Sequence, residues 1–174
     1  MSLPAEYSIW LRPAAADEAA LVQTIARLAD LRRGQRFAPH VTVQGDLAQP
    51  LEGLRGMLAP LARKIPVQRW RVEAVETSPH FFRCMVLRFA PCAAFKGMQA
   101  AAQAFSQTEQ GLSPFPHLSL AYGEPHPDNT RLCQELATEF VGREIVLDRL
   151  SICHSSKSVP IPDWAYQTDY PLSG

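Results

Sequence analysis

Two short runs of the chain share one pattern. Residues 39–43 read PHVTV and residues 116–120 read PHLSL. Each has a proline, a histidine, an aliphatic residue, a small hydroxyl residue and a second aliphatic residue. Such alternation marks a strand, because successive side chains of a strand point to opposite faces. His40 and Thr42 therefore share one face, with Val41 and Val43 on the other. His117 and Ser119 oppose Leu118 and Leu120 in the same way. The fold has to bury two aliphatic strand faces and leave two imidazole–hydroxyl faces for another use. Pro39 and Pro116 lack an N–H and suit the first residues of a strand.

The rest of the chain reads β, α, β, α, β, β, α, β, α, β, β, so each half carries one copy of the motif. Strands are predicted at Tyr7–Leu11, Phe37–Val43, Val67–Glu76, Phe81–Phe89, the second motif and Arg143–His154. The segment WAYQTDY is predicted as a closing edge strand. The two strands around TSPH form a hairpin candidate. Helices are predicted at Asp17–Arg33, Leu51–Lys64, Cys92–Gln107 and Asp128–Phe140 from apolar stripes at helical spacing. Asp17 is expected to cap the first helix, and Arg32, Arg33 and Gly34 to close it. Pro60 is expected to break the second.

At 174 residues and 47% hydrophobic, the chain suits one domain with a sizeable core, 1–174, and is too short for two ordinary domains, which leaves room for two small lobes sharing one core. Lys plus Arg is 17 and Asp plus Glu is 17. Zero net charge argues against a long nucleic acid, whose phosphates are usually met by a basic excess. The four cysteines show neither CxxC nor zinc-ligand spacing and are read as reduced structural thiols. The N-terminus has no signal-peptide pattern, and no apolar run reaches the roughly 20 residues of a membrane span. These features predict a soluble cytoplasmic protein.

Two imidazoles on the walls of one cleft suit a reaction that needs a base and an acid. Histidine titrates near pH 6.5, so one ring can accept a proton while the other donates one. The hydroxyls of Thr42 and Ser119 can donate hydrogen bonds to oxygens of a reacting group, and a phosphoester fits, because its non-bridging oxygens need donors as charge builds. A lone strand histidine is more often a hydrogen-bonded scaffold residue. Repetition of the whole pattern, proline included, favours function.

The paired motifs His40-Val-Thr42 and His117-Leu-Ser119 resemble those of the 2H phosphoesterase superfamily. The segments YSIWLRP, RFAPHVTV, FFRC, PHLSLAYG and RLSICHSSKSVPIPDW resemble, in order, its cyclic phosphodiesterase branch of plants and yeast. The resemblance implies a bilobal α+β fold with two antiparallel sheets facing a central groove, helices outside and pseudo-two-fold symmetry. It implies metal-independent, cofactor-free hydrolysis of a cyclic phosphate to a phosphomonoester. ADP-ribose 1″,2″-cyclic phosphate and nucleoside 2′,3′-cyclic phosphates are the expected substrates. His40 and His117 would be catalytic, with His117 as base and His40 as acid, and Thr42 and Ser119 would bind phosphate. A monomer is expected. The alternatives are an RNA-end processing enzyme of the same superfamily, 2′-5′ ligase-like or 3′-trimming, and a non-catalytic nucleotide-binding module.

Three aromatics are candidate substrate contacts. Trp10 matches a tryptophan of the branch, but reads equally well as core. Tyr122 falls on the far face of its strand unless Gly123 re-aims it. Phe82, beside Phe81, could stack on a base. His80 and His126 sit in proline turns and are expected to be solvated, whereas His154 ends a strand beside SSKS and reads first as a scaffold residue. Lys157 and Arg36 lie near the motif segments and could attract phosphate.

Overall fold

The computed structural model describes Pro4 and residues 6–174. Within these residues the strands are β1 (Tyr7–Pro13), β2 (Val41–Leu47), β3 (Gln68–Thr77), β4 (Met85–Phe89), β5 (His117–Ala121), β6 (Glu144–His154) and β7 (Ala165–Pro171). The helices are α1 (Ala15–Arg32), α2 (Leu51–Ala62), α3 (Ala93–Ser106) and α4 (Asn129–Phe140). Short 3-10 turns occupy Phe81–Arg83 and Ile161–Asp163. The element order matches the one read from the pattern. The α+β class holds, and the strands form one antiparallel sheet closed in a barrel-like way.

The strand order is β1-β2-β5-β4-β3-β6-β7, and a further pairing of β1 with β6 closes the ring. The strands thus share one hydrogen-bonded sheet instead of the two expected. The reason lies in β6. Its first residues pair with β3, Gln68 opposite Leu147 through Arg71 opposite Glu144. Its remainder pairs with β1 on one edge and with β7 on the other. An 11-residue strand is long enough to serve both halves. β2 meets β5 through one registered pair, Val41 opposite Leu118.

That register centres the two motifs on each other. Val41, Val43, Leu118 and Leu120 are buried in the hydrophobic core, where α1 packs on β1 and β5 and α3 packs on β2. The imidazoles and hydroxyls take the opposite face, as alternation requires.

Local expectations fail where a tertiary partner intervenes. Asp17 makes no cap; its carboxylate reaches β6, where Oδ2 accepts the Val146 N–H at 2.9 Å and Oδ1 lies 3.4 Å from Arg143. Pro60 lies inside α2, close to its C-terminal end, where the loss is confined to one late hydrogen bond. β2 begins at Val41 and runs to Leu47, so Phe37–His40 is an approach to the strand. Phe81–Arg83 forms a turn, and β4 starts only at Met85.

The loop before β5 is locked onto β2. Gly45 donates its N–H to Gly111 O at 2.8 Å. Gly111 has φ +78, and an added Cβ there would lie 1.9 Å from Gly45 O, so only glycine fits. The Gln44 side chain, fully buried, donates to Thr108 O and Gln110 O.

Candidate active site

The two histidines are held in the same way. His40 Nδ1 lies 2.7 Å from Ala38 O, and His117 Nδ1 lies 2.8 Å from Phe115 O. A carbonyl can only accept, so each Nδ1 carries the proton and each Nε2 is left with a lone pair. Both acceptors precede a proline. The residue before proline is confined to extended conformations, which sets the direction of that carbonyl. The proline of the motif therefore orients the imidazole from just before the strand.

His40, Thr42, His117 and Ser119 all line one open cavity of about 250 Å³. This is near the lower end of the roughly 300–1,000 Å³ of small-molecule sites. Burial pushes the His40 imidazole down to about 3, with His117 and Arg12 pushing in the same direction against the Ala38 hydrogen bond. Burial likewise lowers His117, helped by Arg83 and Arg88. Burial thus favours the neutral form of both rings in the free protein. An anion between them would favour protonation.

Trp10 is buried and lies flat on the His40 ring, with centroids 3.5 Å apart and planes at 6°. It is both core and cavity wall. Tyr122 falls just beyond the end of β5, and Gly123, at φ +132, turns the chain there. Its hydroxyl lies 3.5 Å from His40 Nε2, and burial raises its pKa, so it remains a protonated phenol. Phe82 is half-buried on the cavity wall, whereas Phe81 is exposed.

The two hydroxyls are not equivalent. Thr42 is half-buried on the wall. Ser119 donates its proton to Phe82 O at 3.0 Å. In this conformation it anchors the Phe81–Arg83 turn and presents only lone pairs to the cavity.

Other sequence candidates divide. Lys157 lines the cavity and pairs with Asp46 at 3.7 Å. Arg36 does not; it pairs with Asp30 at 2.7 Å on the surface. His80 is exposed, His126 lies 3.8 Å from Asp128, and His154 meets the Tyr7 ring edge-on; none of them lines the cavity. The four thiols are free, and burial raises Cys153 to about 12. Among the described residues no three His, Cys, Asp or Glu side chains are grouped to hold a metal ion. No described helix is long and apolar enough to cross a membrane.

Sequence reading missed Trp164, Arg83 and Ser113 as wall residues. Trp164 meets Trp10, Tyr122 and His40 edge-on and lies nearly parallel to Phe82. The available signal was its place in PIPDW, one of the segments that carried the resemblance. Ser113 Oγ lies 3.3 Å from His117 Nδ1 and donates to Phe115 O at 3.2 Å.

No family model and no curated protein matches the chain. Solved structures do. The protein TT0787 of Thermus thermophilus superposes with a TM-score of 0.63 at 16% identity, over 97% of this chain and 98% of that one. E. coli LigT complexed with 3′-AMP gives 0.58 at 11%, over 98% and 99%. Kluyveromyces marxianus Usb1 with uridine monophosphate gives 0.50 at 8%, over 97% and 99%. The coverage extends along the whole of each chain, so the likeness is one of complete architecture: this chain has the fold of the 2H phosphoesterases.

Proposed function

We infer that the protein is a phosphodiesterase that opens a cyclic phosphate to a phosphomonoester without a metal. The observation that carries this reading is the matched pair of imidazoles, each tied through Nδ1–H to the carbonyl two residues back, on the walls of one cavity. His117 Nε2 takes a proton from water, whose oxygen attacks phosphorus. The bond from phosphorus to one ring oxygen breaks, and protonated His40 supplies the proton to the departing alkoxide. One proton enters and one leaves, so the pair ends with its charge exchanged. The substrate's own anion favours the proton on His40.

Thr42 donates to a non-bridging oxygen, and Tyr122 stands ready to donate near His40. Ser119 joins them as a phosphate donor by rotating its hydroxyl away from Phe82 O. Phe82 and Trp10 face the nucleoside part. In this reading the two motifs, whose strands pair at Val41 and Leu118, are pseudo-two-fold counterparts from the two lobes of a single domain. The protein works as a cytoplasmic monomer on ADP-ribose 1″,2″-cyclic phosphate, nucleoside 2′,3′-cyclic phosphates, or both.

Incubation with ADP-ribose 1″,2″-cyclic phosphate and the four 2′,3′-cyclic nucleotides in EDTA should yield monophosphates. Folded protein that turns over none of them overturns the reading. A preference for oligonucleotide ends over mononucleotides redirects it to RNA processing, and tight binding without turnover redirects it to a binding module.

A further inference from the structure

The cavity walls carry few charges at pH 7. Burial favours the neutral form of both imidazoles. Asp46 and Lys157 compensate each other: Lys157 Nζ lies 3.7 Å from Asp46 Oδ2, and Asp46 Oδ1 accepts the Lys157 backbone N–H at 2.9 Å. Among the described wall residues the remaining charge is that of Arg83. Its guanidinium forms no ion pair among the described residues and faces the Phe115 ring, 5.9 Å from Cζ to the centroid.

Arg83 sits on an anchored turn. Ser119 Oγ donates to Phe82 O at 3.0 Å, and Gly123 N–H donates to Phe81 O at 3.0 Å. Ser78 Oγ donates to Arg83 O at 2.7 Å, and Arg83 N–H donates to His80 O at 3.0 Å. Ser119 belongs to the strand that carries His117, and Gly123 follows it closely. The base of the Arg83 side chain is therefore set relative to the His117 imidazole before any ligand arrives, which reduces the ordering cost of binding.

We propose that Arg83 is the anion-binding residue of this cavity, holding the non-bridging oxygens of the substrate phosphate on the His117 side. The proposal rests on the phosphodiesterase reading and adds a residue to it. A cyclic phosphodiester carries one negative charge, and the cavity offers one uncompensated cation. The planar fork of a guanidinium matches two phosphate oxygens. Before a ligand arrives the Ser119 proton is engaged by Phe82 O, so the charged donor available on this wall is the neighbouring arginine. The lowering of His117 by Arg83 agrees with a guanidinium close to that ring.

The test is calorimetric titration of inorganic phosphate at pH 7 into the wild type, Arg83→Gln, Arg83→Lys and Arg131→Gln. The last removes the same charge from the exposed face of α4. Arg83→Gln should raise the Kd for phosphate by about tenfold or more, as loss of a charge-assisted hydrogen bond does. Arg83→Lys should fall between Gln and wild type, and Arg131→Gln should bind like wild type. Wild type that binds no phosphate at millimolar concentration, or Arg83→Gln that binds no more weakly than Arg131→Gln, overturns the proposal. Turnover of 2′,3′-cyclic AMP separates the two readings. Arg83-dependent phosphate binding without wild-type turnover removes the hydrolase and leaves the anion site. Wild-type turnover with an unaffected Arg83→Gln removes the anion site alone.

Discussion

The indole of Trp10 lies flat against the imidazole of His40, with centroids 3.5 Å apart and planes 6° from parallel. The stack seals one face of the ring from water, which helps to hold His40 neutral. Replacing Trp10 with Ala should admit water, relieve the desolvation and raise the His40 pKa toward 6.5. The histidine C–H resonances, followed through an NMR pH titration, report this directly. An unchanged His40 titration would show that the stack plays no part in the shift.

Either histidine should be indispensable if the acid/base reading holds. His40→Ala and His117→Ala should each lower kcat on 2′,3′-cyclic nucleotides by about 10² or more, the usual contribution of a general acid or base. The double variant should cost little beyond the worse single one, because the pair acts as a unit. Steady-state rates of the three variants decide this, and a single variant with full activity contradicts the assignment.

The depressed imidazoles make stability depend on pH in a definite direction. His40 is lowered to about 3 in the fold and titrates near 6.5 when unfolded. Well above pH 6.5 neither state binds the proton. As pH falls below 6.5 the unfolded chain takes it up and the folded chain does not, so stability declines toward pH 3. The slope for one histidine is at most about 1.4 kcal/mol per pH unit. Urea unfolding at pH 7, 6 and 5 should show this loss, and His40→Asn should flatten it.

The hydroxyls should separate in their effect on stability. Ser119→Ala removes the anchor to Phe82 O and should cost about 1 kcal/mol of unfolding free energy. Thr42→Ala should leave the melting temperature near that of the wild type. Thermal unfolding of the two variants side by side checks this. Equal melting temperatures would mean that the Ser119 bond does not hold the turn.

The alternation in PHVTV and PHLSL was enough to put an imidazole and a hydroxyl together on one face, because a strand's period of two follows from backbone geometry alone. The order of strands and helices was legible for a similar reason: apolar spacing reflects which face each element buries. Long-range partners were not legible. Asp17 looked like a helix cap and instead bridges to Val146. Ser119 looked like a free donor and instead bonds Phe82 O. Tyr122 could be aimed only once the turn at Gly123 was known. Trp164 belonged to an apparent edge segment and became a cavity wall.

What lies within a few residues, the face of each motif and the proline-oriented carbonyl that tethers each imidazole, is contained in the chain itself. Whether the two motifs meet is a question of closure. β6 pairs with both β3 and β1, and this closes the ring in which β2 and β5 meet at Val41 and Leu118. Only that closure makes one cavity from two strands, and only within it do burial and neighbouring charge set the protonation of His40 and His117.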